Sequence, residues 1–202
     1  MNETIRLYYR VTVTDREGRI KSRTRLRKSH SFVLQFVQML EYLMRHGVAG
    51  SSVIVSVKDV GNTARDVTTA ALASNKHFGF LAGDDISTYG IVVGTGTGAE
   101  ANTDYKLGTQ IAHGVGAGQL DYGAQSFTAA AVVGANVDLV LYRPFYNGSG
   151  NTITVNEIGM YHGSHDTSDT ARYFCTVRDV VAATNVLNTE TVTVQYTLRT
   201  TV

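Results

Sequence analysis

The sequence predicts a mainly β protein, an antiparallel β-sandwich of jelly-roll type with one amphipathic helix near the N-terminus. Three observations carry that expectation. From Val53 onward, short apolar or alternating runs are separated by clusters of Gly, Asn, Asp, Ser and Thr. A single segment repeats its apolar residues at helical spacing. No strand–helix alternation of the kind that builds a parallel sheet occurs anywhere. With 202 residues, 43% of them apolar and 17% charged, the chain has the composition to bury one core. Residues 1–202 therefore read as a single sandwich domain, with an N-terminal hairpin plus helix over 1–47 and a Gly-rich loop segment over 94–126.

The first element is ETIRLYYRVTVTD. Ile5, Leu7, Tyr9, Val11 and Val13 share one face and Arg6, Tyr8, Arg10, Thr12 and Thr14 the other, the pattern of a half-buried strand. DREG at residues 15–18 supplies turn chemistry, and RIKSRTRLRK returns, which makes a hairpin. Over residues 31–46, Phe32, Phe36, Leu40 and Leu43 recur with Val33, Val37 and Met44 beside them, as on the apolar face of a helix. Ser29 or Ser31 suits its N-cap, Arg45 and His46 suit the negative end of its dipole, and Gly47 suits its left-handed terminus.

Six strand segments come next: SVIVSVKD, GIVVG, VDLVLYRPFYN, NTITVNEIGMYH, ARYFCTVRDVV and ETVTVQYTLRTTV. The last alternates through Val192, Val194, Tyr196 and Leu198, as a sheet with one covered face requires. RPFYNGSGNTITVNEIG reads as strand, tight turn, strand, because Asn147, Gly148, Gly150 and Asn151 accept positive φ. The segment between GIVVG and the later strands has no sustained period. It reads as long loops with a short strand near 109–112, and so much irregular chain inside a compact domain marks a functional or adaptable region. No internal repeat is visible, and the one proline, Pro144, sits near a strand end where its missing N–H is harmless.

A net charge of +1 gives no global attraction to nucleic acid, anionic membranes or acidic substrates. No run approaches the roughly 20 apolar residues of a membrane span, and MNETIR is unlike a signal peptide, so the expected location is the cytosol until assembly. The single cysteine, Cys175 in RYFCTV, excludes an internal disulfide and reads as a buried strand residue.

IVVGTGTGAEA, at residues 91–101, poses the sharpest functional question. Gly96-x-Gly98-x-x-Ala101 matches the degenerate dinucleotide fingerprint. The amphipathic helix that would hold a pyrophosphate is nevertheless missing, since Gly108, Gly114, Gly116 and Gly118 interrupt the downstream chain. A P-loop fails too, because its glycines lack a trailing Gly-Lys-Ser/Thr and the next lysine is Lys106. A nucleotide-dependent enzyme using Gly94, Gly96 and Gly98 is thus the least favoured reading, and no cofactor is expected.

His162, His165 and Asp166 in YHGSHD have metal-ligand chemistry, but they read as solvated loop residues and no metal site is assigned; His30 and His46 read as capping or surface groups. Glu157 lies within the apolar alternation ITVNEIGMY, where a carboxylate has a raised pKa or a cationic partner; pairing with Arg143 or Arg178 is the expectation, since no second carboxylate is placed for acid–base work. No Gly-x-Ser-x-Gly elbow occurs. Arg19, Lys21, Arg23, Arg25 and Arg27 stand at two-residue spacing and would project from one sheet face. Such a stripe serves as a solvated, aggregation-resistant edge or docks an acidic protein surface; nucleic acid fits less well, because no aromatic platform is interleaved.

Three segments together, GIVVGTGTGAEANTDYKLGTQI, RPFYNGSGNTITVNEIGMYH and YFCTVRDVVAATNVLNTETVTVQYTLRTTV, resemble small structural proteins of tailed-bacteriophage virions. The resemblance covers most of the chain through soft strand-and-turn patterns. It implies a β-sandwich without catalysis, assembled in symmetric copies, a homo-oligomer, on the capsid, neck, tail or fibres of a virion made in the host cytoplasm. No active site is carried over. The expected contacts to other virion proteins are the basic residues 19–27 and the loop from Gly94 to Gly118. A rival reading is a receptor- or carbohydrate-binding module at a fibre tip, with Tyr105 and Tyr122 as stacking surfaces.

Overall fold

The computed structural model describes residues 4–29, 32–45, 54–68 and 79–201. The chain is mainly β and antiparallel, as its patterning requires. β1 (Thr4–Thr14) pairs along its whole length with β12 (Thr191–Thr201), from Thr4 opposite Thr201 to Thr14 opposite Thr191. β2 (Ile20–Arg23) and β3 (Arg27–Lys28) return along the other side of β1. β12 also pairs with β9 (Asn136–Tyr146), whose far side carries β7 (Asp121–Tyr122) and β8 (Ser126–Val133). A second sheet runs in the order β11 (Ala171–Val186), β10 (Ile153–His165), β6 (Gly90–Gly94). β4 (Ile54–Lys58) and β5 (Ala64–Thr68) form a separate hairpin.

The two larger sheets stack as a sandwich. Leu7, Val11, Val194 and Phe145 from the long sheet join Ile91, Val93, Ile158 and Val177 from the short one in a single buried cluster, each such side chain contributing about 1.5–3 kcal/mol on burial. The alternation of β1 and β12 is explained directly: Tyr9 lies opposite Tyr196 and Val11 opposite Val194 on the inward face. β10 and β11 are buried over most of their length, because their second face is covered as well, by the Gly-rich loop that runs through residues 96–109.

Helix α1 (Leu34–Arg45) is shorter at its start than the 31–46 expected. Its first N–H groups are satisfied from afar: Val33 N–H donates to the Thr176 carbonyl and Leu34 N–H to that of Asn102. Ser29 is therefore not the cap; its hydroxyl donates to the buried Asp179 carboxylate at 2.8 and 3.0 Å. Ser31, His30, His46 and Gly47 lie outside the described residues. The buried face is also rotated from the expected one. Gln35 and Met39 are buried, whereas Leu34, Val37 and Leu40 are exposed. Met39 packs with Val55, Val57, Val67 and Phe174 in a second, smaller cluster, so the β4–β5 hairpin and β11 together bury this face.

The stretch around Asn147 is a crossing between sheets and not the tight hairpin its turn residues suggest. β9 belongs to the long sheet and β10 to the short one. Asn147, fully buried, holds this corner: its side-chain amide donates to the carbonyls of Asn151 and Val186 at 2.8 and 2.7 Å. Its backbone N–H donates to Glu190 and its carbonyl accepts from Thr189. The β11–β12 link, which also changes sheets, is thus tied to the β9–β10 link at the same point.

A short repeat, invisible as strand or helix periodicity, emerges as a shared turn. In DVGNTAR (59–65) and DTSDTAR (166–172), the leading Asp accepts backbone N–H groups two and four residues on, and the closing Arg donates to its second oxygen at 2.7 Å. Asn62 and Asp169 take the positive φ, 64° and 61°, that the turn needs. The two hairpins lie side by side, with Thr167 N–H donating to the Asp66 carbonyl.

Candidate functional site

The glycine loop closes on the protein itself. Glu157 is fully buried on β10, opposite Gly94 of β6. Its Oε1 accepts the N–H groups of Gly96 at 2.9 Å and Thr109 at 2.7 Å. Oε2 accepts the N–H of Gly108 at 2.9 Å and Nε of Arg178 at 3.0 Å. A cradle of backbone amides of the kind that holds a phosphate is occupied here by the chain's own carboxylate. That closeness accounts for the glycines: a Cβ at Gly94 would stand 2.6 Å from Oε1, and one at Gly96 would fall on the same carboxylate. Gly98 has open space around it and contributes its carbonyl instead.

Arg178, opposite Gly159 on β11, completes the clamp. Its guanidinium donates to the carbonyls of Gly98 and Ala99 at 2.8 and 3.2 Å and to the Asp104 carboxylate at 2.8 Å. Burial alone would lower its pKa, but the hydrogen bonds and charges of Asp104 and Glu157 outweigh it and the net direction is upward. Of the two partners expected for Glu157, Arg178 is the one realised. Leu107 N–H donates to the Tyr161 hydroxyl at 2.6 Å, so residues 96–109 lie over the face of β10 that carries Glu157 and Tyr161. The short strand near 109–112 is present as bridging bonds: Thr95 N–H to Thr109 and Ile111 N–H to Val93.

Arg143 is instead a second hub that sequence reasoning did not assign. Fully buried on β9, it directs its guanidinium N–H groups at five backbone carbonyls, those of Gly83, Ile86, Tyr89, Ile91 and Gly123, at 2.6–3.2 Å. Desolvation holds its pKa below the ordinary arginine value. The guanidinium lies 5.0 Å from the centre of the Tyr122 ring. Tyr122 is itself fully buried, its hydroxyl donating to the Ile111 carbonyl at 2.7 Å, and burial pushes its pKa up to about 12. It is therefore a core residue and not a stacking surface. Tyr105 is half-buried, with the ammonium groups of Lys58 and Lys106 5.6 and 5.9 Å from its ring.

The basic residues do not form one stripe. β2 ends at Arg23, where the Thr24 hydroxyl takes the N–H of Val11 in place of a ladder carbonyl. Pairing resumes only at Arg27, so Arg23 lies opposite the outward Thr12 and Arg27 opposite the inward Tyr9. Arg19 is engaged by Asp15 and Glu17, and Lys21 by Glu190. Arg25 stands exposed in the break between β2 and β3.

His162 and Asp166 also differ from the solvated loop expected. β10 continues through His165, and His162 is fully buried against Phe174, ring centres 5.0 Å apart. Burial pulls its pKa down to about 3. Asp166 is buried in the 166–172 turn, on Arg172. Cys175 is buried on β11, and burial pushes its thiol pKa up. In comparisons with family models, curated proteins and solved structures, nothing matches this chain.

Proposed function

We propose that this chain is a non-enzymatic structural protein of a tailed-phage virion, binding neighbouring capsid or tail subunits in symmetric copies. The observation that carries this reading is the disposition of its polar and apolar groups. The buried charges most suggestive of chemistry, Glu157 and Arg143, are saturated by backbone groups of the same chain and by Arg178, so their work is to hold loops. Apolar side chains, in contrast, stand in solvent on two surfaces: Leu34, Val37 and Leu40 on α1, and Phe127, Val132, Val133 and Val137 on the β8–β9 hairpin. Clustered exposed apolar residues mark interaction surfaces.

The hairpin is the stronger of the two. β8 pairs with β9 alone among the described residues, and no charged side chain or proline occurs from Ser126 to Val137. Edge strands are ordinarily blunted by charge or proline against pairing with another chain; this one is left open for a neighbouring subunit. Symmetric copies would each present the same edge.

Quantitative peptide mass spectrometry on purified particles, scaled to the major shell protein, tests the proposal. Near-equal abundance means capsid decoration, and a small fixed fraction means neck, tail or fibre. Absence from the particles overturns the reading.

A further inference from the structure

Asp85, His113 and Asp121 come from three separate segments and meet at one surface. Asp121 Oδ1 lies 3.6 Å from His113 Nδ1, and Asp85 Oδ1 lies 3.6 Å from His113 Nε2. One donor atom from each residue lies within 4.8 Å of the other two. The backbone holds all three in place. Asp85 N–H donates to the Tyr122 carbonyl at 2.8 Å, residues 113 and 120 form a bridge, and Asp121 belongs to β7 opposite Tyr146. The buried Arg143 fixes the same surroundings through the carbonyls of Gly83, Ile86 and Gly123.

The charges of this group do not balance. Neither 3.6 Å separation is a hydrogen bond, whose range ends near 3.2 Å for N–H···O. Tyr122 N–H donates to Nδ1 at 3.3 Å, so the Nδ1 lone pair is taken by that backbone amide, while Nε2 faces the Asp85 carboxylate. Among the described residues, no lysine or arginine pairs with Asp85 or Asp121. Two carboxylates therefore flank one imidazole, with no lysine or arginine between them. A separation of 3.6 Å is what two ligands have when each stands about 2.0–2.2 Å from a shared ion at a wide angle; the ring offers an ion one nitrogen, so one carboxylate stands 3.6 Å from that nitrogen and the other within 4.8 Å.

We propose that Asp85, His113 and Asp121 bind a first-row divalent transition metal ion, of which Zn²⁺ and Mn²⁺ are the representative cases. One imidazole nitrogen with two carboxylates is a donor set for such ions, whereas Ca²⁺ and Mg²⁺ favour all-oxygen sites. One ring nitrogen of His113 ligates together with Asp85 and Asp121, and water fills the remaining positions on the exposed side. The bound ion joins the segments around residues 85, 113 and 121.

The test is calorimetric titration of the full chain, with any histidine tag removed, using ZnCl₂, MnCl₂ and CaCl₂, repeated on His113→Ala and Asp121→Asn. Metal-free circular dichroism verifies that both variants fold. The expected result is one Zn²⁺ or Mn²⁺ per chain, weaker by about tenfold or more in either folded variant, with Ca²⁺ the poorer ligand. Absence of one-to-one binding, affinity unchanged in both variants, or Ca²⁺ binding that matches Zn²⁺ and ignores His113→Ala overturns the proposal. Should His113→Ala fail to fold, Asp121→Asn carries the test alone.

Discussion

Glu157→Gln removes one charge and changes almost no volume, so it isolates the electrostatics of the loop clamp. In wild type, Oε1 accepts from Gly96 and Thr109, and Oε2 accepts from Gly108 and Arg178. A glutamine carbonyl can replace Oε1, but its NH₂ then stands where Oε2 was and faces two donors. The loss is one backbone bond to a charged acceptor, about 1.5–3 kcal/mol, and the buried ion pair with Arg178. Breaking such a pair from one side costs about 3–5 kcal/mol in total, partly offset here because Arg178 keeps Asp104. A destabilisation of about 3–4 kcal/mol is therefore expected in urea unfolding, with the slope unchanged. Amide exchange gives the finer test: Gly108 loses more protection than Gly96 and Thr109. A destabilisation below about 1 kcal/mol, with all three amides as protected as before, would refute the clamp.

Three further outcomes are expected. His162 titrates near 6.5 in an unfolded chain and at about 3 when folded; a depressed folded pKa means its stability contribution is complete above about pH 6.5 and is lost as pH falls towards 3. At pH 5 the loss is about 2 kcal/mol, and His162→Gln should flatten that part of the stability–pH curve measured by urea melts. Arg143→Lys leaves at most three donors for five carbonyls and should cost about 3 kcal/mol or more; a melting temperature equal to wild type would contradict the hub. Val132→Lys, on an exposed edge residue, should change stability by no more than about 0.5 kcal/mol yet lower the copies per particle counted by peptide mass spectrometry.

Strand identity was legible wherever one face of a strand meets the core, as in β1 and β12, because period-2 alternation reports one-sided burial. Two-sided burial did not hide GIVVG or ARYFCTVRDVV; the reading failed where polar residues are buried in a strand or where burial is absent. YHGSHD read as a polar loop because His162 and Ser164 look hydrophilic, although β11 pairs alongside and buries them. SFTAAAVV, all but exposed along β8, offers no alternation at all. The corner at Asn147 illustrates a different limit: Asn and Gly permit a sharp reversal, but whether the returning strand rejoins the same sheet depends on partners far away in sequence. The Glu157–Arg178 pair was among the alternatives that a buried carboxylate dictates. Its closure by Gly96, Gly108 and Thr109 was not, because backbone donors carry no residue signature. One signal was in plain view and missed, the recurrence of DVGNTAR as DTSDTAR.

The full-length pairing of β1 with β12 has a mechanical consequence. Because Thr4 lies opposite Thr201, chain attached before the one and after the other would leave from the same end of the same sheet, about 5 Å apart. A pull applied between those two points opens the ladder rung by rung, the weak direction for a hydrogen-bonded pair. A pull between Thr4 and Thr191, which stand at opposite ends of the same ladder, runs along the strands and instead loads all its rungs together in shear. Force-spectroscopy traces from these two attachment geometries should therefore differ in shape, with gradual peeling for the first and abrupt rupture for the second.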